Sequence, residues 1–429
     1  MMYPFSAQDL TASSVVLNNY MESVSGSLPW EDLRYLFGEI MYGGHIVNDM
    51  DRLLCNTYLK HFLRNEMLEE MDLVPYADDR SVAFQSPPPI SYSGYLDHIE
   101  TLPGESPTLF GLHHNAEIGF RTQQANNLFR TIDLIQPQGA GDDDGAGGDA
   151  SPQNVAEIAL QDLLDVYREI TFDIADTRNS MAEAGPFQNV FLQECEAMNR
   201  LLAEIVRSLT ELELGFRGDL TMSSAMETLM HELYLGDVPS SWAKLAFPSL
   251  RPLTGWSASL QLRISQLQDW CTNPDEIAPS VWLTGLFNPS SFLTAIRQET
   301  SQTNGTELDK LEILTDVTKR RVAEIGERAR DGEYIHGLFM EGAQWDIGST
   351  CIIPSKPKEM FCPMPVITCK AVLREKVLNV GGKASGVYRC PVYVTQQRGP
   401  TFVFFGNLKT KEPKEKWILA GVALILDVV

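Results

Sequence analysis

No apolar run in this 429-residue chain approaches the roughly 20 residues that a membrane-spanning helix needs. The first ten residues, Met1 to Leu10, lack a basic stretch followed by an apolar core, so no signal peptide is expected there. Cysteine is scarce: Cys55, Cys195, Cys271, Cys351, Cys362, Cys369 and Cys390 are the full set. An odd number spread so thinly argues against a disulfide framework and fits a reducing compartment. The last four share one C-terminal stretch, but none has Cys-x-x-Cys spacing, so they read as structural thiols rather than zinc ligands. His113 and His114 diverge on any regular element and have no Cys/His pair nearby, so they read as loop or cap residues.

Catalytic signatures are missing as well. There is no Gly-x-Ser-x-Gly elbow and no His-Glu-x-x-His run. Asn379-Val-Gly-Gly-Lys-Ala-Ser385 lacks the first glycine of a phosphate loop, and Ala384 follows Lys383. It lies between expected strands rather than before a helix, and reads as a hairpin turn. Glu39, Glu117 and Glu194 are scattered carboxylates with nothing in the sequence to pair them. No catalytic, cofactor-binding or metal-ligating residue is assigned, and no enzymatic activity is expected.

Positive charge is short overall and unevenly placed. The net charge is −23, yet Ser355 to Lys416 holds 12 Lys+Arg against 4 Asp+Glu. The acidic body repels nucleic acid and anionic lipid, so neither a nucleic acid nor a membrane is expected as a partner. The basic segment could dock on an acidic surface, or its lysines could be solvated strand faces and turns.

What is present is an ordinary globular balance, 44% hydrophobic and 21% charged. Residues 3–70 carry three short helical patterns: one from Ser6 or Asp9, one opened by Pro29, one capped by Asn48 or Asp49. Prolines make 72–112 irregular, 113–134 resumes a helical pattern, and the Asp/Gly-rich run 139–149 reads as a disordered loop. Ser151-Pro152 opens another helix. The strongest element is Phe187 to Leu214, whose apolar stripe at helical spacing predicts a helix about 40 Å long, the spine of a helical domain. Ser224-x-x-Glu227 reads as a capping box, and two more helices follow, around Trp256–Trp270 and after Asn288-Pro289. The seven tryptophans read as core and seam anchors rather than a ligand cage.

From about Leu308 the period changes. Leu311–Val317, Glu333–Met340, Met364–Val372, Tyr388–Val394, Thr401–Phe405 and Trp417–Leu426 are rich in β-branched and aromatic residues, with Gly, Pro and Asn between them. A charged helix is expected over Thr318 to Arg330. The fold class is α+β: a multi-helical domain followed by a small C-terminal β-barrel of about six strands.

Long runs carry a resemblance. Pro29-Trp-Glu-Asp-Leu-Arg-Tyr-Leu-Phe-Gly-Glu-Ile-Met-Tyr-Gly-Gly-His-Ile46, with Asp51-Arg52 and Cys55-x-Thr57-Tyr58-Leu59, resembles the end of the sixth AAA+ module of dynein heavy chains. Phe110 to Ile118, Val281 to Pro289, Tyr334 to Trp345 and Ser355 to Glu359 resemble the dynein C-terminal domain. Cys390-Pro-Val-Tyr393, Gln397 to Thr401 and Asn407 to Lys411 are similar to axonemal chains, most of all the outer-arm β class. The resemblance covers nearly the whole chain, the Asp/Gly-rich run excepted.

The resemblance implies a lid subdomain of the sixth module over 1–65, the helical part of the C-terminal domain over 66–305, and a barrel over 306–429. It implies a regulatory or structural part of a ciliary or flagellar microtubule motor. ATP and Mg would be used upstream in the parent motor, with no cofactor held here. Partners would be the AAA+ ring of the same heavy chain and other dynein arm subunits, with microtubules reached only through upstream regions. The cytoskeleton of the axoneme is the expected location. A free-standing module binding other dynein subunits is the alternative.

Overall fold

A computed structural model describes residues 3, 6–66, 90–101, 114–135, 152–377 and 386–428. The Asp/Gly-rich run, most of the proline-rich stretch, His113, Ser151 and the Asn379–Ser385 turn lie outside the described residues. The protein is α+β, with helices dominating up to Asn304 and strands beyond it.

The first helix, Ala7–Ser23, starts where Ser6 and Asp9 cap each other: the Ser6 hydroxyl accepts from the Asp9 N–H, and the Asp9 carboxylate accepts from the Ser6 N–H. Helix Trp30–Tyr35 follows Pro29 and widens into a π-turn over Leu36–Ile40. Helix Asp49–Phe62 is capped by Asn48, which accepts from the Met50 and Asp51 N–H groups. This last helix packs on the short helix Lys414–Leu419 near the end of the chain.

The spine runs from Pro186 to Phe216, 31 residues, so it spans about 46 Å. Proline at its first turn costs no hydrogen bond, because that N–H has no helical partner anyway. Thirteen of its side chains are buried, including Met198, Leu201, Ile205, Leu209 and Leu212. Gly218, at φ +80°, lets the backbone turn back without a Cβ clash. Helix Ser224–Leu235 differs from expectation by one residue. Its cap is Ser223, whose extended backbone points the hydroxyl at the Met226 N–H, while Ser224 already lies in the first turn. Helices Leu253–Thr272 and Pro289–Asn304 complete this part.

Among the described residues there are eleven strands, in order β1 Val281–Trp282, β2 Leu311–Val317, β3 Glu333–His336, β4 Phe339–Glu341, β5 Ala343–Asp346, β6 Cys351–Pro354, β7 Phe361–Pro363, β8 Ile367–Leu373, β9 Val387–Tyr393, β10 Phe402–Lys409 and β11 Ala423–Ile425. They form sheets ordered β1-β3-β8-β2, β10-β9-β11-β4-β7 and β5-β6. The edge strands β2 and β10 of the two larger sheets are joined by a side chain: the Asn407 N–H donates to the Thr315 hydroxyl at 2.6 Å. Ten of these strands stand beyond Leu308, where six were expected. The additional ones are three or four residues long, too short for alternation to register, and β6 and β7 end on prolines.

Three further expectations are corrected. The stretch 72–112, read as irregular, holds the helix Tyr92–Thr101. Thr318 to Arg330 holds only a short 3-10 turn, Val322–Glu324. Thr318 and Arg320 pair their backbones with Val366 instead, which draws the segment along the sheet and leaves no room for a helical ladder. The expected strand Trp417–Leu426 begins as the helix Lys414–Leu419. Gly421, at φ +65°, then turns the backbone into β11.

One buried apolar cluster runs from Ala156 through the spine to Leu426. The helices from residue 152 onward and the sheets therefore share a core. Among the described residues, no helix is long and apolar enough to cross a membrane.

Candidate functional site

Charge is buried where the helices meet the sheets. Glu194 projects from the spine and is 3% exposed. Its two carboxylate oxygens accept from the backbone N–H groups of Phe287 (2.5 Å) and Asn288 (3.0 Å), the residues that lead into helix Pro289–Asn304. Those N–H groups stand at a helix N-terminus, where an anion is favoured. Burial pushes the Glu194 carboxyl above its usual range, while these two hydrogen bonds and Arg263 pull it back.

Arg263, on helix Leu253–Thr272, is 1% exposed. Its guanidinium stacks on the Phe247 ring at 3.4 Å and donates to the Leu286 carbonyl at 3.3 Å. Desolvation pulls it down to about 9, opposed by Asp427 and Glu194, so it stays cationic at neutral pH. Asp427, 2% exposed, follows β11 and accepts from Arg251 Nε at 2.8 Å and from the Ser249 hydroxyl at 2.5 Å. Thr284 completes the seam. Its hydroxyl lies 2.7 Å from the Gly337 carbonyl and 3.1 Å from the Leu426 carbonyl. Gly337 sits at φ +90°, and a Cβ there would meet the Trp282 ring at 2.3 Å, so only glycine lets the backbone pass this point.

Two carboxylates and two guanidiniums thus bind four separate stretches of sequence: the spine, residues 249–263, residues 284–288 and the C-terminal residues. Each group is spent on backbone or on an opposite charge, so the arrangement suits mechanical coupling rather than proton transfer.

The other singled-out carboxylates are structural. Glu39 accepts from Arg52 and Asn56, and Glu117 lies 3.8 Å from Arg121 on the same helix. Trp242 stacks with Trp256, and Trp270 with Phe191, all within the core. Trp417 donates to the Thr410 hydroxyl in a buried contact. All seven cysteines are free, and no group of three or more His, Cys, Asp or Glu that could hold a metal occurs among the described residues. Many cations of the basic segment are answered locally: Arg389 by Glu312, Lys409 by Asp316, Lys370 by Asp331 and Arg398 by Glu341.

Sequence reasoning missed Arg263 and Asp427. Arg263 interrupts the apolar stripe of Trp256, Leu260, Ile264 and Leu267, a cation on a face otherwise destined for the core. Asp427 is the lone charge after Lys416, amid an apolar terminus.

The family profile described as "Dynein heavy chain AAA lid domain" matches residues 1–116, and the profile for the C-terminal domain of the dynein heavy chain matches residues 122–426. Dynein axonemal heavy chain 9 of Homo sapiens is 47% identical over 428 residues. Dynein beta chain, ciliary, of Tripneustes gratilla is 46% identical over 432 residues. Dynein beta chain, flagellar outer arm, of Chlamydomonas reinhardtii is 45% identical over 434 residues. Each alignment covers 99% or more of this chain but 9% of the relative. By two profiles that together take in nearly all of it, and by identity of this level from end to end, the chain belongs to the dynein heavy chain family.

Proposed function

We propose that this region is a non-catalytic brace on the AAA+ ring of an axonemal dynein heavy chain. It stiffens the ring's closure so that nucleotide-driven changes elsewhere in the motor become force and run length. The observation that carries this reading is the seam of Glu194, Arg263, Asp427 and Arg251. Its buried charges reach across elements through hydrogen bonds and one ion pair, Arg251 with Asp427, so the helices and sheets they join resist shear and move together. Exposed apolar side chains on the helices before residue 136, such as Leu10, Val15, Tyr92, Ile99, Leu128 and Phe129, offer surface for the rest of the same heavy chain or for other dynein arm subunits.

In this reading ATP and Mg act upstream, microtubules are touched only through upstream regions, and the lid ends near residue 65 with the sheets acting as a cap on a neighbouring ring module. The relatives are named for axonemes, cilia and flagella, and the same setting is inferred for this chain.

The test compares single-motor force, run length and ATPase coupling in three intact-motor preparations: wild type, Glu194→Ala, and a heavy chain ending before β2. Lower force or shorter runs at retained ATP turnover are expected in both altered chains. Unchanged values of all three quantities in both would sink the proposal.

A further inference from the structure

Next to Glu194 on the spine, Cys195 faces Cys271 of helix Leu253–Thr272, with their sulfurs 3.8 Å apart. The two thiols are 76 residues apart in sequence and sit in different environments. Cys195 is 1% exposed, whereas Cys271 is half-buried and reachable from solvent. We propose that Cys195 and Cys271 form a peroxide-sensitive dithiol, with Cys271 the reacting thiol and Cys195 the resolving one, which locks the spine to its neighbouring helix when oxidised.

The asymmetry sets the order of events. The Cys195 thiol is held protonated and lies within hydrogen-bond reach of the Cys271 sulfur. Its own ionisation is suppressed by that contact, by burial, and by the nearby Cys271, Glu194 and Glu196. At Cys271 the contact with Cys195 and the Thr177 hydroxyl lower the thiol from its usual value, against the drag of burial. A lowered, half-buried thiol is the better placed of the two to attack, since the thiolate is the nucleophile.

The chemistry balances with hydrogen peroxide as the oxidant. The Cys271 thiolate attacks one peroxide oxygen, the O–O bond breaks, and Cys271 sulfenic acid and hydroxide form. Cys195 sulfur then attacks the Cys271 sulfur, the S–O bond breaks, and the departing hydroxide takes the Cys195 proton as water. Two thiols lose two electrons in total, and one peroxide becomes two waters. Joining the sulfurs requires closing 3.8 Å to about 2.05 Å, a shift of about 2 Å. Neighbours of the pair are elements of the site: Trp270 stacks on Phe191 at 5.0 Å, and Glu194 holds the lead into helix Pro289–Asn304. The redox state would therefore bear directly on the seam.

Other thiols are less suited. Cys369 and Cys390 are fully buried and pushed far up by desolvation, and Cys55 is raised by burial and by Glu39.

The test treats the intact heavy chain with hydrogen peroxide and maps cysteines by mass spectrometry after alkylation. Expected is a Cys195–Cys271 cross-link, reversed by dithiothreitol, with an initial rate that rises with pH as the Cys271 thiolate population grows. In Cys195→Ser, dimedone should label Cys271 with no cross-link formed. In Cys271→Ser, Cys195 should stay reduced. Thermal melting followed before and after oxidation reports folding of each variant and should rise on cross-linking of the wild type alone. The proposal is overturned if Cys271 stays reduced while other cysteines oxidise, or if it proceeds to sulfinic acid with Cys195 still free.

Discussion

Glu194 is buried, and its carboxylate accepts from the N–H groups of Phe287 and Asn288. Removing the carboxylate takes the acceptor from the Phe287 and Asn288 N–H groups, each a loss of about 1–3 kcal/mol. Glu194→Ala is therefore expected to lower stability by about 2–5 kcal/mol. Glu194→Gln keeps one carbonyl acceptor and the side-chain volume, and should lose about half as much. The denaturant-unfolding midpoints of the two variants, at equal slope, check the ranking. A loss in the alanine variant under about 1 kcal/mol would mean that water replaces the carboxylate. Along the sequence Glu194 is a scattered carboxylate because both its partners are backbone groups 93 and 94 residues away. Side-chain patterns cannot record a backbone partner.

At the scale of elements, the spine depends on its stripe more than on its caps. Gly185 has no side chain with which to cap it, and no basic residue stands in the last turn, so packing holds the helix. Leu201 is fully buried, and its truncation to alanine should cost about 2–5 kcal/mol. Leu214, 37% exposed on the same helix, should cost about 0.5 kcal/mol or less on the same change. Urea unfolding of the pair measures the contrast, and equal losses would place the core elsewhere. This helix is legible in the sequence because its period repeats over many turns, and averaging over turns suppresses noise. The short strands β5 to β7 are not, because three or four residues carry one or two alternations at most. After β2, charge spacing alone suggests a helix that does not form, because no apolar stripe supports it.

At the scale of the whole molecule, one side chain ties the boundary between the two matched profiles to the sheets. Asn115 is 7% exposed, accepts from the Lys358 N–H at 2.7 Å, and donates to the carbonyls of Lys356 and Glu359. Lys358 is held at φ +72°, a conformation disfavoured for a residue bearing a Cβ, so the clamp stabilises a loop that would otherwise relax. Asn115→Ala should raise amide exchange across residues 356–360 by about ten-fold or more, while exchange in the spine stays at its original protection. Hydrogen–deuterium exchange resolves both stretches in one experiment. Protection lost throughout the spine as well would show that the clamp supports the fold rather than the loop.

The sequence by itself determined the α+β class, the spine, most caps and four of the longer strands, because each depends on residues near one another in sequence. It also carried the family, through long runs of residues. Only the tertiary structure decided the seam, the Asn115 clamp and the meeting of Cys195 with Cys271. Each joins groups tens to hundreds of residues apart, and several of the partners are backbone atoms that every residue shares. Burial then converts those distant meetings into energy, since a charge or thiol in water would have no comparable need of a partner.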